Sequence, residues 1–317
     1  EPNRLWTSYR STNEFVQLFH TNDIHLDWEW GGEIRFGRNF CRDCCTGCYR
    51  YGIEAIYWTT EPLRGTLIGT DPDGVSSVLT FGHATGNVEF DGTPATAWFD
   101  AALQHRLTRR DEFHNVELNL IRYQMAAEPG TVWDVYWTLG MRFFRFDERL
   151  IWGTLADPNN LPAGETRDEA FLDEDITNEL FGFQFGFHTD YYLLESLSLF
   201  VEPKVGIYNN HLDHTFRLYL EDGTVADKGG AALPGNYPVH STDDEISFLG
   251  QIDLGGTWQV SPRMSFEAGY RVVFITGVGL ADNQIPHFVV DIPEIAAIDN
   301  NGDLILHGAF VNATYQF

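Results

Sequence analysis

No stretch of eighteen consecutive apolar residues occurs anywhere in the 317-residue chain, so a membrane-spanning helix is excluded. A spanning β-barrel remains open, because its strands alternate and average to a mildly polar composition. Positive charge is also scarce. Twenty basic residues stand against 46 acidic ones, a formal net charge of −26. Nucleic acid and anionic membrane surfaces are therefore not expected as partners. No leader precedes Glu1, which fits an exported protein whose signal segment has been removed. What is plentiful is aromatic: 15% of residues, with Phe the most frequent, as a lipid-facing band requires.

Cysteine is confined to one short window, Cys41, Cys44, Cys45 and Cys48, spaced C-x-x-C-C-x-x-C. In an exported chain two disulfides are the default expectation, with connectivity unreadable from spacing. Zinc or an iron-sulfur cluster is the rival, though one tetrathiolate loop with adjacent central cysteines is sterically awkward. Disulfides to a neighbouring subunit are the third reading. The acidic residues gather between periodic segments, at Asp168 to Asp175, Asp243 to Glu245 and Asp299 to Asp303. Solvated loops explain this, and Ca²⁺ is the competing ligand because clustered carboxylates are hard-oxygen donors. Asp299, Asn301 and Asp303 open like a calcium loop, but no Glu stands at the twelfth position, which favours a turn. No cofactor is expected otherwise.

A two-residue period dominates. Phe181, Phe183, Phe185 and Phe187 share one face, opposite Gly182, Gln184, Gly186 and His188. Leu197, Leu199, Val201, Val205 and Ile207 oppose Ser198, Glu202, Lys204 and Gly206, with Pro203 predicting a bulge or a locally unpaired site. Ile246 to Gln259 and Met264 to Phe274 form a long hairpin around Ser261-Pro262, placing Phe266, Tyr270 and Phe274 on one face. Trp133 to Phe143 and Val116 to Ile121 alternate likewise; Glu33 to Phe40, Gly52 to Thr59 and Asn13 to His20 do so more weakly. Strands of more than ten residues are long enough to cross a hydrocarbon layer when tilted. Trp98 to Thr108 reads as a strand extension, a hairpin or a short helix.

Connections alternate in length. Short ones fall at Ala127 to Gly130, Asp190 to Glu195 and Ser261-Pro262; long loops are expected at about 61–112, 147–175, 209–243 and 279–303. That asymmetry is the barrel pattern of short periplasmic turns and long external loops. The last segment alternates to the end, with Val311, Ala313, Tyr315 and Phe317 on one side. A terminal aromatic on such a strand resembles the signal that barrel assembly machinery recognises. The expectation is one domain over 1–317: an all-β, antiparallel, up-and-down transmembrane barrel of about ten strands, with eight or twelve as alternatives. Evenness needs one more strand before Glu33, near Asn13 to His20.

Several phrases recur in a familiar order: Glu117-Leu118-Asn119-Leu120, Gly140-Met141-Arg142-Phe143-Phe144-Arg145-Phe146-Asp147-Glu148, Asn178-Glu179-Leu180-Phe181-Gly182-Phe183-Gln184-Phe185-Gly186, Gly269-Tyr270-Arg271 and Gly277-Val278-Gly279-Leu280-Ala281. In this order they resemble the outer-membrane β-barrel porin family of planctomycetes, over roughly residues 30 to 285. The resemblance implies a barrel in the bacterial outer membrane and supplies no catalytic residues.

With the faces so assigned, the lumen receives Arg35, Glu54, Glu117, Arg142, Glu202, Lys204, Asp253, Glu267 and Arg271. A barrel this narrow lets such charges meet, and desolvation demands that they pair. The lumen is therefore expected to be largely filled, and the protein to be a structural or assembly barrel of the envelope rather than an enzyme. A narrow passive porin is the alternative, and a secreted β-sandwich lectin or hydrolase the reading from another class. No histidine is linked by motif to a nucleophile; His211 and His214 form an H-x-x-H pair that offers a metal only two ligands. Partners expected are outer-membrane lipid, the assembly machinery, and a further copy or other envelope proteins around the acidic loops.

Overall fold

The computed structural model describes residues 7–42, 49–83, 86–123, 132–229 and 236–317. Strands β1 (Thr7–Arg10) and β2 (Asn13–His20) come first. β3 (Gly31–Arg42), β4 (Tyr49–Thr60) and β5 (Leu63–Ser77) follow, then a small patch of β6 (Gly82–His83), β7 (Gly86–Phe90) and β8 (Thr93–Pro94) beside helix α1 (Thr96–Phe99). Four long strands succeed it: β9 (Ala102–Tyr123), β10 (Trp133–Leu155), β11 (Glu169–Leu194) and β12 (Leu197–Leu220). β13 (Asp227–Gly229) pairs with β7, and β14 (Val239–Ser261) and β15 (Met264–Val278) form the second hairpin. Helices α2 (Ala281–Gln284) and α3 (Ile292–Ile295) precede the closing strand β16 (Gly302–Tyr315).

One antiparallel sheet of twelve strands contains almost all of this and curls into a barrel wall, and the second sheet, of β6, β7, β8 and β13, is a small patch. A continuous ten-strand path runs β16-β15-β14-β12-β11-β10-β9-β5-β1-β2. β9 is long enough to carry two neighbours on one edge. Its first half pairs with β5 and its second half with β4, which in turn pairs with β3. β4 and β5 are in effect one strand interrupted at Glu61-Pro62, where proline removes a donor. Asn13 to His20 is a strand, as expected, but it joins the sheet through β1 and β5, away from β3.

Turns at one end are tight, Glu195-Ser196 and Pro262-Arg263. The opposite end carries the long connections, and three of them differ from expectation. β10 continues to Leu155, β11 starts at Glu169, β12 reaches Leu220 and β14 starts at Val239, so the loops placed at 147–175 and 209–243 shrink to 156–168 and 221–238. The stretch 61–112 likewise holds β5 to β8, α1 and the start of β9. In these extensions the outward residues are charged (Arg145, Asp147 and Arg149 on β10, for example), which reads as loop although alternation continues. The fourth, 279–301, is a connection holding two short helices. Trp98 to Thr108 resolves into two of its three options, the end of a short helix and then the start of β9, and not into a hairpin of its own.

Pro203 leaves a gap without a bulge. The β11–β12 register is the same on either side, Gly186↔Lys204 and Thr189↔Val201, with the ladder interrupted between them. Where strands press closest only glycine fits. A Cβ on Gly182 would come within 2.1 Å of the Ile207 carbonyl oxygen.

The two halves of the wall have opposite polarity. Toward the tight turns the outer face is apolar: Ile34 and Phe36 on β3, Val116, Leu118 and Leu120 on β9, Leu139 on β10, Phe181, Phe183 and Phe185 on β11, Val205 and Ile207 on β12 are all exposed. Toward the long loops the outer face is polar and the inner face greasy, with Leu150, Trp152, Leu172, Ile176, Leu212, Phe216 and Leu218 buried inside.

Candidate functional site

The interior is the feature on which function depends, and it is stacked in layers along the bore. Nearest the tight turns lies a charged layer. Arg271 of β15 donates from Nε and Nη2 to Asp253 of β14 (3.0 and 2.7 Å) and from Nη1 to Glu33 of β3 at 2.7 Å. Glu33 also binds Arg35 at 3.2 Å, and Arg35 reaches Glu54 at 3.4 Å. Lys204 Nζ sits between Glu117 (3.1 Å) and Glu202 (3.0 Å). Glu117 further accepts from Gln184, Asn119 and Asn115. His188 bridges Glu202 and Asp190 at 3.3 and 3.1 Å, its ring stacked between Tyr136 and Phe200. Arg142 donates from Nε to Asn115, while its two Nη atoms make no hydrogen bond among the described residues and Glu117 stands 3.9 Å away. Glu267 lies half-buried on the same inner face.

Thus Arg35, Glu54, Glu117, Arg142, Glu202, Lys204, Asp253, Glu267 and Arg271 all stand on the inner face, most of them joined in one network in which the Asn119 amide links Glu54 to Glu117. Sequence reasoning missed Glu33, which links β3 to β15, and the ionic role of His188 with Asp190. Strand parity alone identifies all three, since each is an even step from a residue already assigned inward.

Above the charges lies an apolar layer in which Trp58, Phe113, Phe144, Phe146, Leu180, Leu249 and their neighbours pack together on the inner face. Arg142 lies over the Phe144 ring and Arg271 over Trp58, each 5.8 Å from the ring centroid. Cationic heads thereby meet the apolar layer through their planar faces.

A second polar level follows, beyond the apolar outer band. Asn178 donates to the Gly279 carbonyl and accepts from its N–H, both at 2.9 Å. Ala281 N–H donates to Glu148, which also pairs with Arg109 at 2.8 Å. Burial pushes the Glu148 carboxyl up to about 8; Arg109 opposes this, and Asp111 and Asp282 add to it. These bonds fasten the 279–301 segment into the mouth. Over them lies the main apolar core. Ile285, Val289, Val290, Ile292 and Ile295 from one connection and Phe81, Phe90, Trp98 and Phe99 from another pack on the inner face of β9 to β12. The two connections are tied through Thr80, whose N–H donates to His287 and whose carbonyl accepts from Val289, both at 3.0 Å.

The histidine readings resolve separately. His211 points outward to Asp244, whereas His214 is buried against Glu174 at 2.6 Å, so the H-x-x-H pair does not converge. His105 accepts from Ser8 Oγ at Nδ1 (2.7 Å) and donates from Nε2 to the Phe99 carbonyl. A serine-histidine contact with a carbonyl as third partner, wholly buried, has neither the carboxylate nor the access that acyl transfer requires. Burial pushes this imidazole down to about 3, and the Phe99 hydrogen bond opposes that only in part.

Asp299 accepts from the N–H and side-chain amide of Asn301, closing a turn, and Asp303 lies just inside β16. Among the described residues no group of three or more His, Cys, Asp or Glu is placed to hold a metal. Cys41, the penultimate residue of β3, is exposed and forms no disulfide among the described residues, and Cys44, Cys45 and Cys48 lie outside them. Phe181, Phe183, Phe185, Phe187, Phe266, Tyr270, Phe274 and Tyr315 stand on the outer face, and Phe317 lies two residues past the end of β16, its ring edge-on to Tyr315.

The sequence model of the family described as Putative beta barrel porin-7 matches residues 70–317, from within β5 to the end of the chain. No curated protein matches.

Proposed function

The chain belongs to that β-barrel porin family, and from this premise we propose that it is an outer-membrane barrel whose bore is closed, acting as a structural or assembly element of the cell envelope. One observation carries this reading: two apolar layers cross the bore in series, the second made by folded loop segments in the mouth. An open porin needs a continuous aqueous path, and barrels of about this strand number are filled by their own side chains. The tight-turn end faces the periplasm and the polar, loop-bearing end faces outward. Lipid contacts the exposed phenylalanines, and the aromatic C-terminal strand suits engagement with the assembly machinery. Planar-bilayer recording tests the reading. The expected result is insertion without conductance steps. Reproducible steps would establish the narrow-porin alternative instead.

A further inference from the structure

Around the apolar band the wall is built from β3, β4, β9, β10, β11, β12, β14, β15 and β16, each antiparallel to the next. Passing from β16 to β3 therefore crosses an even number of reversals, and the two edge strands run the same way. No ladder joins them among the described residues. We infer that in the membrane these edges pair with each other as a single parallel seam, giving a closed barrel of nine strands.

Three observations carry this. First, both edges lie at the level of the hydrocarbon: Ile34, Phe36 and Phe40 on β3, and Ile305, Val311 and Tyr315 on β16, face outward and exposed. Lipid offers unpaired backbone there no hydrogen-bond partner, so an open seam is not stable in the membrane. Second, the edges already adjoin. Glu33 on β3 reaches Arg271 on β15, the strand behind β16, at 2.7 Å. Neighbouring strands lie about 4.8 Å apart, so β3 and β15 with only β16 between them are about 10 Å apart, within the combined reach of the two side chains. A further strand would make it about 14 Å, a distance met only with both side chains at full stretch, whereas Arg271 is already turned toward β14 by its bonds to Asp253. On the outer side the Trp28 ring stands edge-on to His307 of β16, with centroids 5.3 Å apart. Third, the strand of this chain that would restore an even number, β2, is held by β1 at the long-loop end. A second copy inserted in the same orientation offers edges of the same sense. Pairing with it would also be parallel and would sacrifice the Glu33–Arg271 bond. Bacterial barrels made from one chain are otherwise even-stranded, but a mitochondrial membrane barrel closes with an odd number, and parallel pairing is only slightly weaker per residue.

The inference rests on the membrane reading above, and the test separates the two. With the four native cysteines replaced by serine, Phe36→Cys is combined in turn with Val311→Cys, Ala313→Cys and Tyr315→Cys, the outward positions bracketed by the Trp28 and Glu33 contacts. One combination is expected to form an intramolecular disulfide in most molecules while heat-modifiable migration is kept. Dimers linked through these cysteines would assign the seam to a second copy and overturn the proposal. A folded barrel with no cross-link at any position would also overturn it, pointing to an inserted strand. Should the serine background fail to fold, hydrogen exchange on the unaltered protein in lipid vesicles decides: β3 and β16 amides are expected within about tenfold of the protection of β11. Rapid exchange there defeats the seam alone, whereas a chain that stays in solution without detergent defeats the membrane reading itself.

Discussion

Lys204 is one of only two lysines in the chain and is buried in the bore between two carboxylates. Replacing it, Lys204→Met, keeps the length of the side chain but leaves Glu117 and Glu202 without their nearest cation. A loss of about 3–5 kcal/mol is expected, as for breaking a buried pair from one side, read as a lowered urea midpoint in the heat-modifiability assay. His105 gives the pH dependence of the mouth. Its folded form is neutral down to about pH 3, while the unfolded chain takes up a proton near 6.5. Its contribution is therefore complete above pH 6.5 and is lost as pH falls from there toward 3, by about 1.4 kcal/mol per unit. Limited proteolysis of the mouth segments between pH 7.5 and 5 measures this, and His105→Gln should flatten the profile. At this scale the inner charges were legible because parity in a strand is unambiguous. The partners were not, since Glu33 meets Arg271 across 238 residues of sequence and no local pattern encodes that approach.

Along a single strand the alternation never changes phase, yet the meaning of its two faces reverses. The reversal falls at apolar doublets: Phe143-Phe144 on β10 lies opposite Leu180-Phe181 on β11, with Phe143↔Phe181 outside and Phe144↔Leu180 inside. Below these pairs the phenylalanines face out; above them Arg145↔Glu179 and Asp147↔Thr177 do. The long strands were thus readable only as far as the outer face stays apolar, and their charged continuations read as loops because a wet outer face with a dry inner one belongs to soluble sheets. The boundary is testable with one substitution on each side. Phe183→Arg places a charge in the apolar band and should cost about 2–4 kcal/mol in folding into liposomes. His211→Arg, on β12 beyond the level of the doublets and beside Asp244, should stay within about 0.5 kcal/mol.

As a whole the molecule combines a barrel wall that is apolar on its outside and a β-structure that is polar on its outside, on the same strands, with the mouth segments completing the core of the latter. That combination explains why composition was misleading on loops and sound on class. The acid responsible for the net charge of −26 lies partly on the outside of folded sheet, at Glu112, Asp147, Asp175, Glu179 and Asp213 for example, as well as in the turns and the bore. The mouth was illegible because its apolar residues come from two segments far apart in the chain, Phe81 to Phe99 and Ile285 to Ile295, neither with a clear period.

The line of doublets has a consequence for how the protein floats. A hull with a painted waterline can ride neither higher nor lower without showing the error. Sinking by one outward position, about 7 Å, would drown the Arg145–Glu179 row in oil, and rising by as much would beach Phe143 and Phe181 in water. Draught is therefore written into the covalent chain, and a thicker or thinner bilayer must deform to meet this barrel rather than the reverse.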